Sequence, residues 1–296
     1  MKSRPAPAKI NLALHVTSQR ADGYHLLDTV VCFADPTFST ACDEVRMQEA
    51  AEDSFTITGP EAEGLDVGAD NLVLQAVRAL RAQGHPVPSV QIDLVKNLPV
   101  ASGIGGGSAD AAAALYLAND LSSNPALGDM LHRIGLTLGA DVPMCLANQP
   151  LQATGIGEDL SEIVMPALNM VLVNPRIGVS TPSVFKALTA KENAPLSPTP
   201  PLTVDFVAWL TRQRNDLEAP ARALCPAIGT VLAALAETSG NRLARMSGSG
   251  ATCFGLYRTM DEANVAARTI AKSYPHWWVV ALKTGSTPAL PMEFDR

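Results

Sequence analysis

The stretch Gly103-Ile104-Gly105-Gly106-Gly107 constrains the fold of this sequence more than any other feature. An alternating apolar run at 90–95 precedes it and predicts a β-strand. An alanine-rich run follows and predicts an α-helix with Ser108 as its N-cap. Glycine lets a ligand approach the backbone closely, and a helix N-terminus presents unpaired N–H groups at its positive end. The stretch therefore predicts a phosphate-binding site.

The rest of the pattern divides into two series of elements. Strand patterns come first and helix patterns follow as far as residue 138, which is typical of an α+β layer. After a loop-like segment at 149–157, a second series of strands and helices resembles a ferredoxin-like half. We therefore expect an α+β fold with two domains, residues 1–157 and residues 158–296.

Two short stretches near the N-terminus carry polar side chains that each allow two interpretations. Residues 5–17 alternate as a strand, with Lys9 and Asn11 on the face opposite the apolar residues. That face lies either in solvent or along a cleft. Tyr24 and His25 follow an Asp-Gly turn and either pack on their neighbours or face a ligand.

The composition of the chain argues against several classes of function. With 296 residues, 47% hydrophobic and 17% charged, the chain can bury a sizeable core. A formal net charge of −7 argues against a nucleic-acid partner, which favours basic surfaces. The five cysteines form no CxxC pair, so we expect reduced thiols and no structural zinc. No apolar stretch suits a signal peptide or a bilayer span, so we expect a cytoplasmic protein with no membrane partner. We also expect a monomer or a weak homodimer.

Three common glycine-loop families fit poorly. A Walker A loop requires a lysine directly after the glycines, and none follows here. A protein kinase requires an Asp-Phe-Gly motif, which the sequence lacks. A dinucleotide-binding fingerprint requires a third glycine where Ser108 stands and a shorter link from the strand. Neither an NTPase nor a dehydrogenase is therefore favoured.

The segment from Pro99 to Ala109 resembles the phosphate loop of the GHMP kinases, which phosphorylate small metabolites. Pro7-Ala8-Lys9-Ile10-Asn11-Leu12 resembles the first motif of that family, and residues 247–254, Ser-Gly-Ser-Gly-Ala-Thr-Cys-Phe, resemble its third. The resemblance implies the two-domain α+β fold of the family, with a ribosomal protein S5 domain 2-like N-terminal half and a ferredoxin-like C-terminal half.

Residues 20–25 and 138–143 narrow the resemblance to one branch of the family. That branch uses ATP to phosphorylate the 2-hydroxyl of a cytidine diphosphate derivative of methylerythritol, in the non-mevalonate route to isoprenoid precursors. Mg²⁺ is expected to arrive with ATP, since the sequence suggests no carboxylate cage and no metal ligands of its own. A catalytically silent binding protein on the same scaffold is the alternative, which the presence of both Lys9 and Asp141 disfavours.

The resemblance also implies roles for individual residues. Lys9 and Asp141 are the expected catalytic pair, with the aspartate as proton acceptor, although an Asp before Val-Pro is by itself typical of a turn. Asn11 and Thr181 are expected near the substrate hydroxyls and phosphates, and Tyr24, His25 and Phe185 at the cytosine. The residues expected to bind ATP are Lys96, Pro99, Val100, Ala101, Ser102, Gly103, Ile104, Gly105, Gly106, Gly107, Ser108 and Ala109.

Overall fold

The computed structural model describes residues 1–65, 67–68, 70–201 and 205–285. Residues 286–296, at the end of the expected second domain, lie outside the described residues. The strands of the described part are β1 Lys2–Pro7, β2 Lys9–Gln19, β3 His25–Phe33, β4 Cys42–Glu49, β5 Ser54–Thr58, β6 Val90–Val95, β7 Leu151–Gly155, β8 Asp159–Glu162, β9 Asn169–Asn174, β10 Leu243–Met246, β11 Cys253–Tyr257 and β12 Trp278–Lys283.

The first helix begins at residue 72, and the helices lie singly or in runs of three and four between the later strands. No helix in the described ranges combines the length and the apolar character needed to cross a bilayer. The helices are α1 Leu72–Ala82, α2 Gly106–Asn119, α3 Gly128–Leu138, α4 Val142–Ala147, α5 Thr181–Ala187, α6 Phe206–Leu210, α7 Glu218–Leu224, α8 Ala227–Ala236 and α9 Met260–Ser273.

The strands form three four-stranded sheets. The first has the order β1-β4-β6-β5, and the second has the order β2-β3-β7-β8. The third has the order β10-β11-β9-β12 with antiparallel neighbours. Because β9 and β12 flank a β10–β11 hairpin in sequence, this order is that of a ferredoxin-like sheet. The predicted α+β class therefore describes the observed architecture.

The second and third sheets share one apolar core. Ile10 and Leu12 from β2 belong to the same buried cluster as Leu172 from β9 and Phe254 from β11. The two halves of the chain are thus packed on each other through β2, the strand that carries Lys9. The division at residues 157 and 158 stays a prediction, and β7 pairs with β8 across it.

The strand, the glycine loop and the helix follow one another as the sequence predicted, but the helix begins earlier. Gly105 is the N-cap of α2, with a left-handed φ of 65°, and Gly106 is its first residue. The prediction that Ser108 is the N-cap is therefore wrong. A residue with a side chain would be strained at this φ, so the helix begins where glycine permits the turn.

The Asp141-Val142-Pro143 stretch, which by itself is typical of a turn, instead leads into a short helix. The short helix α4 begins at Val142, and Asp141 is its N-cap residue. The Asp141 side chain accepts no hydrogen bond from the helix backbone. Its carboxylate is therefore available to other groups, although an aspartate at this position commonly caps the helix.

Candidate active site

A cavity of about 1280 Å³ is lined by residues from β2 and β3, from the end of β6 with the glycine loop, and from α5. A volume of this size exceeds the roughly 300–1,000 Å³ of a usual small-molecule pocket and suits two ligands bound together. The expected site residues that line it are Lys9, Asn11, Tyr24, His25, Lys96, Pro99, Val100, Ala101, Ser102, Gly103, Gly105, Gly106, Gly107, Ser108, Asp141, Thr181 and Phe185.

Two residues expected at the ATP site do not line the cavity. Ile104 is fully buried in the apolar core shared by the second and third sheets. Ala109 is buried in the core under α2. Their side chains serve packing, and Ile104 also anchors the loop, because its carbonyl oxygen accepts the N–H of Lys9 at 2.9 Å.

The glycine loop lies against a second glycine loop from the other half of the chain. A Cβ on Gly103 would lie 2.6 Å from the Ser247 carbonyl oxygen, and a Cβ on Gly248 would lie 2.7 Å from the Gly103 carbonyl oxygen. Thr252 also donates its N–H to the Ser102 carbonyl at 3.0 Å. Residues 247–252 therefore support the phosphate loop from behind, through contacts so close that both loops require glycine.

One side chain joins all three motifs. The buried Ser247 hydroxyl accepts the N–H of Asn11 at 3.0 Å and donates to the Gly103 carbonyl at 3.0 Å. Sequence analysis gave this serine no role of its own. Because its partners lie 236 and 144 positions away along the chain, local spacing carries no sign of this contact.

Replacing Ser247 with alanine is expected to lower the free energy of unfolding by about 2 kcal/mol, because two buried polar groups lose their partner. Urea unfolding measures the change, as a lower midpoint with an unchanged slope. The control is Ser161→Ala at an exposed position of β8, expected to change stability by less than about 0.5 kcal/mol. Equal stability of the two variants would contradict the joining role of Ser247.

Lys9 and Asp141 form an ion pair in the wall of the cavity. The Lys9 Nζ lies 2.9 Å from Asp141 Oδ1, with the lysine side chain 4% exposed and the aspartate side chain 43% exposed. A Cβ on Gly105 would lie 3.2 Å from the Lys9 Cβ and Cε, so the lysine stem packs on the glycine loop. The arrangement presents a carboxylate toward open space and a fixed cation beside the phosphate loop.

Lys9 and Asn11 thus lie along a cleft and not in solvent, which decides between the two interpretations of the first strand. Both residues are 3% exposed. The Asn11 Nδ2 donates to the Thr29 hydroxyl at 2.9 Å. This bond fixes the orientation of the amide, and the opposite edge of Asn11 lies beside Gly248.

The far end of the cavity carries two rings in contact. His25 and Phe185 are stacked, with ring centroids 5.0 Å apart and planes 25° apart. Tyr24 lines the same end and is 60% exposed. The cavity therefore contains a flat aromatic surface with a second aromatic ring at its rim, an arrangement that suits a planar ligand.

The environment of the His25 ring favours its neutral form. Burial, and next to it the positive charge of Lys191, lower the pKa of this imidazole below its usual range. Its buried Nε2 has no hydrogen-bond partner among the described residues. A buried polar atom without a partner is costly, so it is a candidate contact for a polar ligand edge.

Thr181 and two lysines complete this end. The Thr181 hydroxyl is 2.7 Å from that of Ser249, which ties α5 to the second glycine loop. Lys186 and Lys191 both line the cavity, and neither forms an ion pair within the described ranges. Lys191 Nζ donates to the Gln19 side chain at 3.0 Å. Sequence analysis missed both lysines, since they lie outside the three motifs.

Lys96 is bound by two carboxylates beneath the phosphate loop. Its Nζ donates to Asp43 and, at 2.8 Å, to Asp110, and all three side chains are buried. Burial, and then the neighbouring Asp43, raise the pKa of Asp110 above its usual range against the opposing effect of Lys96. A nucleotide would therefore have to compete with these two acids for the Lys96 ammonium. The sequence pattern did not reveal either contact.

Comparison with known proteins agrees with this geometry. Residues 71–149 match the model for the N-terminal domain of GHMP kinases, and residues 206–276 match the model for their C-terminal domain. The chain belongs to the GHMP kinase family. The predicted GHMP kinase fold is confirmed, and as a GHMP kinase the chain is a small-molecule kinase that uses ATP.

Individual GHMP kinases are similar over nearly the whole chain. A 4-diphosphocytidyl-2-C-methyl-D-erythritol kinase from Roseobacter denitrificans is 50% identical over 95% of this chain and 93% of its own length. One from Agrobacterium fabrum is 50% identical over 94% of this chain and 95% of its own length. The crystal structure of a 4-(cytidine 5'-diphospho)-2C-methyl-D-erythritol kinase has a TM-score of 0.78 at 31% identity, covering 96% and 100% of the two chains.

The described residues include no cluster of three or more His, Cys, Asp or Glu side chains that could hold a metal ion. The cavity acids are separated, with Asp141 beside Lys9 and Asp110 beside Lys96. The described part of the chain therefore does not fit a metal cage made of protein ligands alone.

Proposed function

We propose that this chain transfers a phosphoryl group from ATP to the 2-hydroxyl of 4-diphosphocytidyl-2-C-methyl-D-erythritol. The products are the 2-phosphate and ADP, in the non-mevalonate route to isoprenoid precursors. The observation that carries the proposal is the Lys9–Asp141 pair, which lies in one cavity between a glycine loop and an aromatic surface. The similar kinases named above support the choice of substrate.

The glycine loop is proposed to hold the phosphates of ATP. Gly105 and Gly106 begin α2, so unpaired backbone N–H groups and the positive end of a 14-residue helix are available there. No lysine follows the glycines, so backbone groups supply much of the anion binding. Pro99, Val100, Ala101, Ser102 and Ser108 lie along the same wall.

Asp141 is proposed to accept the proton of the attacking hydroxyl. Its carboxylate is partly exposed, is not used by α4, and is fixed on one side by Lys9 at 2.9 Å. The Lys9 ammonium can then stabilise the negative charge that develops on the attacking oxygen. Phosphoryl transfer depends mainly on positioning and charge stabilisation, and this pair supplies both beside the phosphate loop.

The other end of the cavity is proposed to hold the cytidine diphosphate group. The cytosine would lie against Phe185 and Tyr24, with the unpartnered Nε2 of His25 at its polar edge. Lys186 and Lys191 would neutralise the diphosphate, since they are cavity lysines free of carboxylate partners in the described ranges. Asn11 and Thr181 would contact the hydroxyls and phosphates of the substrate.

Mg²⁺ is proposed to enter with ATP and to be held mainly by its phosphates and by water. This proposal agrees with the absence of a metal-binding cluster among the residues that the structure describes. When bound, the ion would neutralise phosphate charge. The protein groups named above position the two substrates.

We further propose a cytoplasmic enzyme that acts as a monomer or weak homodimer, with neither nucleic acid nor membrane as partner. The net charge of −7 supports the absence of a nucleic-acid partner. The five cysteines are all free thiols, which supports a reducing compartment. Light scattering during gel filtration tests the oligomeric state, and a stable higher oligomer would contradict this proposal.

Replacing Phe185 with alanine is expected to raise the KM for the cytidine substrate by about tenfold, since loss of a base-stacking ring costs on the order of 1–3 kcal/mol. The KM for ATP should change less than about threefold, because Phe185 lies at the opposite end of the cavity from the glycine loop. Steady-state kinetics with each substrate varied in turn measures both values. Equal increases in the two KM values would contradict the stacking role.

The experiment that tests the proposed function is an ADP-release assay with four acceptors. The purified chain is incubated with ATP and Mg²⁺ and with 4-diphosphocytidyl-methylerythritol, galactose, homoserine or mevalonate. We expect turnover with the first acceptor alone. Turnover only with one of the other three would overturn the choice of substrate, and no turnover with any would favour a silent binding protein.

A further inference from the structure

Asp43 is buried completely and lies directly beneath the segment that leads into the phosphate loop. Its Oδ1 accepts the backbone N–H of Asn97 at 2.6 Å and that of Leu98 at 2.9 Å. Its Oδ2 accepts a hydrogen bond from the Lys96 ammonium. One carboxylate thus binds three consecutive residues at the end of β6, through two main-chain contacts and one side-chain contact.

Other contacts hold the same segment from both sides. The Asn97 side chain donates to the Cys42 carbonyl at 2.8 Å. Lys96 donates its N–H to the Thr58 carbonyl at 2.7 Å and accepts the N–H of Glu61. The position of the chain where it enters the loop at Pro99 is therefore set by β4 and β5, and Asp43 makes the largest number of these bonds.

The cluster also supports the first turn of α2. A Cβ on Gly106 would lie 3.4 Å from the Lys96 Nζ and 3.6 Å from Asp43 Oδ2. Asp110, one turn further along α2, binds the Lys96 Nζ from the other side. The glycine loop is flanked by residues 96–98 and by the start of α2. Both flanks therefore contact the same buried cluster of charged side chains.

The two carboxylates of this cluster have different contacts. Both bind Lys96, but only Asp43 binds the backbone of the segment, and Asp110 Oδ1 has no partner among the described residues. Charge-assisted hydrogen bonds from main-chain N–H groups to a carboxylate are strong and directional. Removing either side chain, Asp43 or Asp110, takes one hydrogen-bond partner from the Lys96 Nζ, but only the loss of Asp43 releases the backbone.

We propose that Asp43 is a positioning residue for ATP, which acts by fixing residues 96–98 so that the phosphate loop presents its N–H groups in the binding conformation. Asp43 itself does not touch the nucleotide. This inference rests on the proposed function, in that the glycine loop is taken as the ATP site. Lys96 serves as a buried link between Asp43 and α2, and its charge is already neutralised within the cluster.

The test measures the affinity for ATP and for cytidine 5'-diphosphate separately, by calorimetry and without turnover. We expect Asp43→Ala to weaken ATP binding by about 100-fold, the equivalent of two lost buried hydrogen bonds. Asp110→Ala, which removes the other side-chain partner of Lys96 and leaves the backbone bonds of Asp43 in place, should weaken it by less than about fivefold. Asp43→Asn keeps an acceptor for the two N–H groups and should restore binding to within about tenfold of the original chain.

Binding of cytidine 5'-diphosphate should stay within about threefold in all variants, since Asp43 is remote from the aromatic end of the cavity. Equal losses of ATP affinity in the two alanine variants would overturn the proposal, because the lost contact to Lys96 would then be the whole effect. Parallel losses for both ligands would also overturn it, because Asp43 would then only maintain the fold. Should Asp43→Ala not yield folded protein, Asp43→Asn against Asp110→Asn gives the same comparison, with the larger loss expected at residue 43.

The proposed function fails in a different way. If the unmodified chain binds no ATP, or binds it without phosphorylating any acceptor, the assignment of the site is wrong whatever the variants do. If the unmodified chain is an active kinase and Asp43→Ala keeps its full ATP affinity, only the positioning role is wrong.

Discussion

Replacing Asp141 with asparagine is expected to lower kcat by about 1,000-fold, within the range of a lost general base. Asparagine has the same size and can still accept a hydrogen bond from Lys9, so the geometry of the pair at 2.9 Å should be kept. It cannot accept the proton of the attacking hydroxyl. The reaction would then depend on water for proton removal, while positioning of the two substrates remains.

Binding measurements separate this chemical loss from a structural one. Dissociation constants for ATP and for cytidine 5'-diphosphate should stay within about threefold, because neutralising one carboxylate in a cavity changes ligand affinity less than it changes a proton transfer. Asp22→Asn is the matched control, since Asp22 is another cavity acid but is paired with Arg20 at an exposed turn. Undiminished turnover in Asp141→Asn would rule out Asp141 as the base.

Replacing Gly103 with alanine is expected to weaken ATP binding by at least about 100-fold. Gly103 has φ +75°, and its new Cβ would lie 2.6 Å from the Ser247 carbonyl and 2.7 Å from that of Gly250. These neighbours are backbone atoms of the second glycine loop, so no side chain can turn away. The two loops must separate, which moves the phosphate-binding N–H groups.

Gly178→Ala is the matched control for this effect. Gly178 also lies beside the phosphate loop, but a Cβ there would meet the Ala101 Cβ at an ordinary 3.9 Å. We expect ATP affinity within about twofold of the original chain, since such a contact needs no rearrangement. Calorimetric titration with ATP measures both variants, and unchanged affinity in Gly103→Ala would contradict the close support of one loop by the other.

The sequence predicted those parts of the site whose chemistry is local. The strand at 90–95, the glycine loop and the helix after it form one continuous signal, and all three are present. The expected Lys9–Asp141 pair also meets in space. The start of the helix was the local error, because left-handed glycine at Gly105 could replace the serine cap at Ser108.

Contacts between distant parts of the chain could not be predicted. Asp43 and Lys96 are 53 positions apart, and Asn11 and Ser247 are 236 positions apart. An aspartate near the start of a strand, as Asp43 is in β4, and a serine before a glycine are both common, so neither residue is distinctive in sequence. Only the order of strands in the three sheets brings these groups together beneath the phosphate loop.

The central claim, transfer to the 2-hydroxyl, is tested most directly by NMR of the product formed from ATP and 4-diphosphocytidyl-2-C-methyl-D-erythritol. We predict one new phosphomonoester signal in the ³¹P spectrum, beside an intact diphosphate pair. That phosphorus should couple to the methyl carbon, because the 2-position bears the methyl group. A monoester without this coupling, a cleaved diphosphate or no new phosphomonoester would contradict the claim.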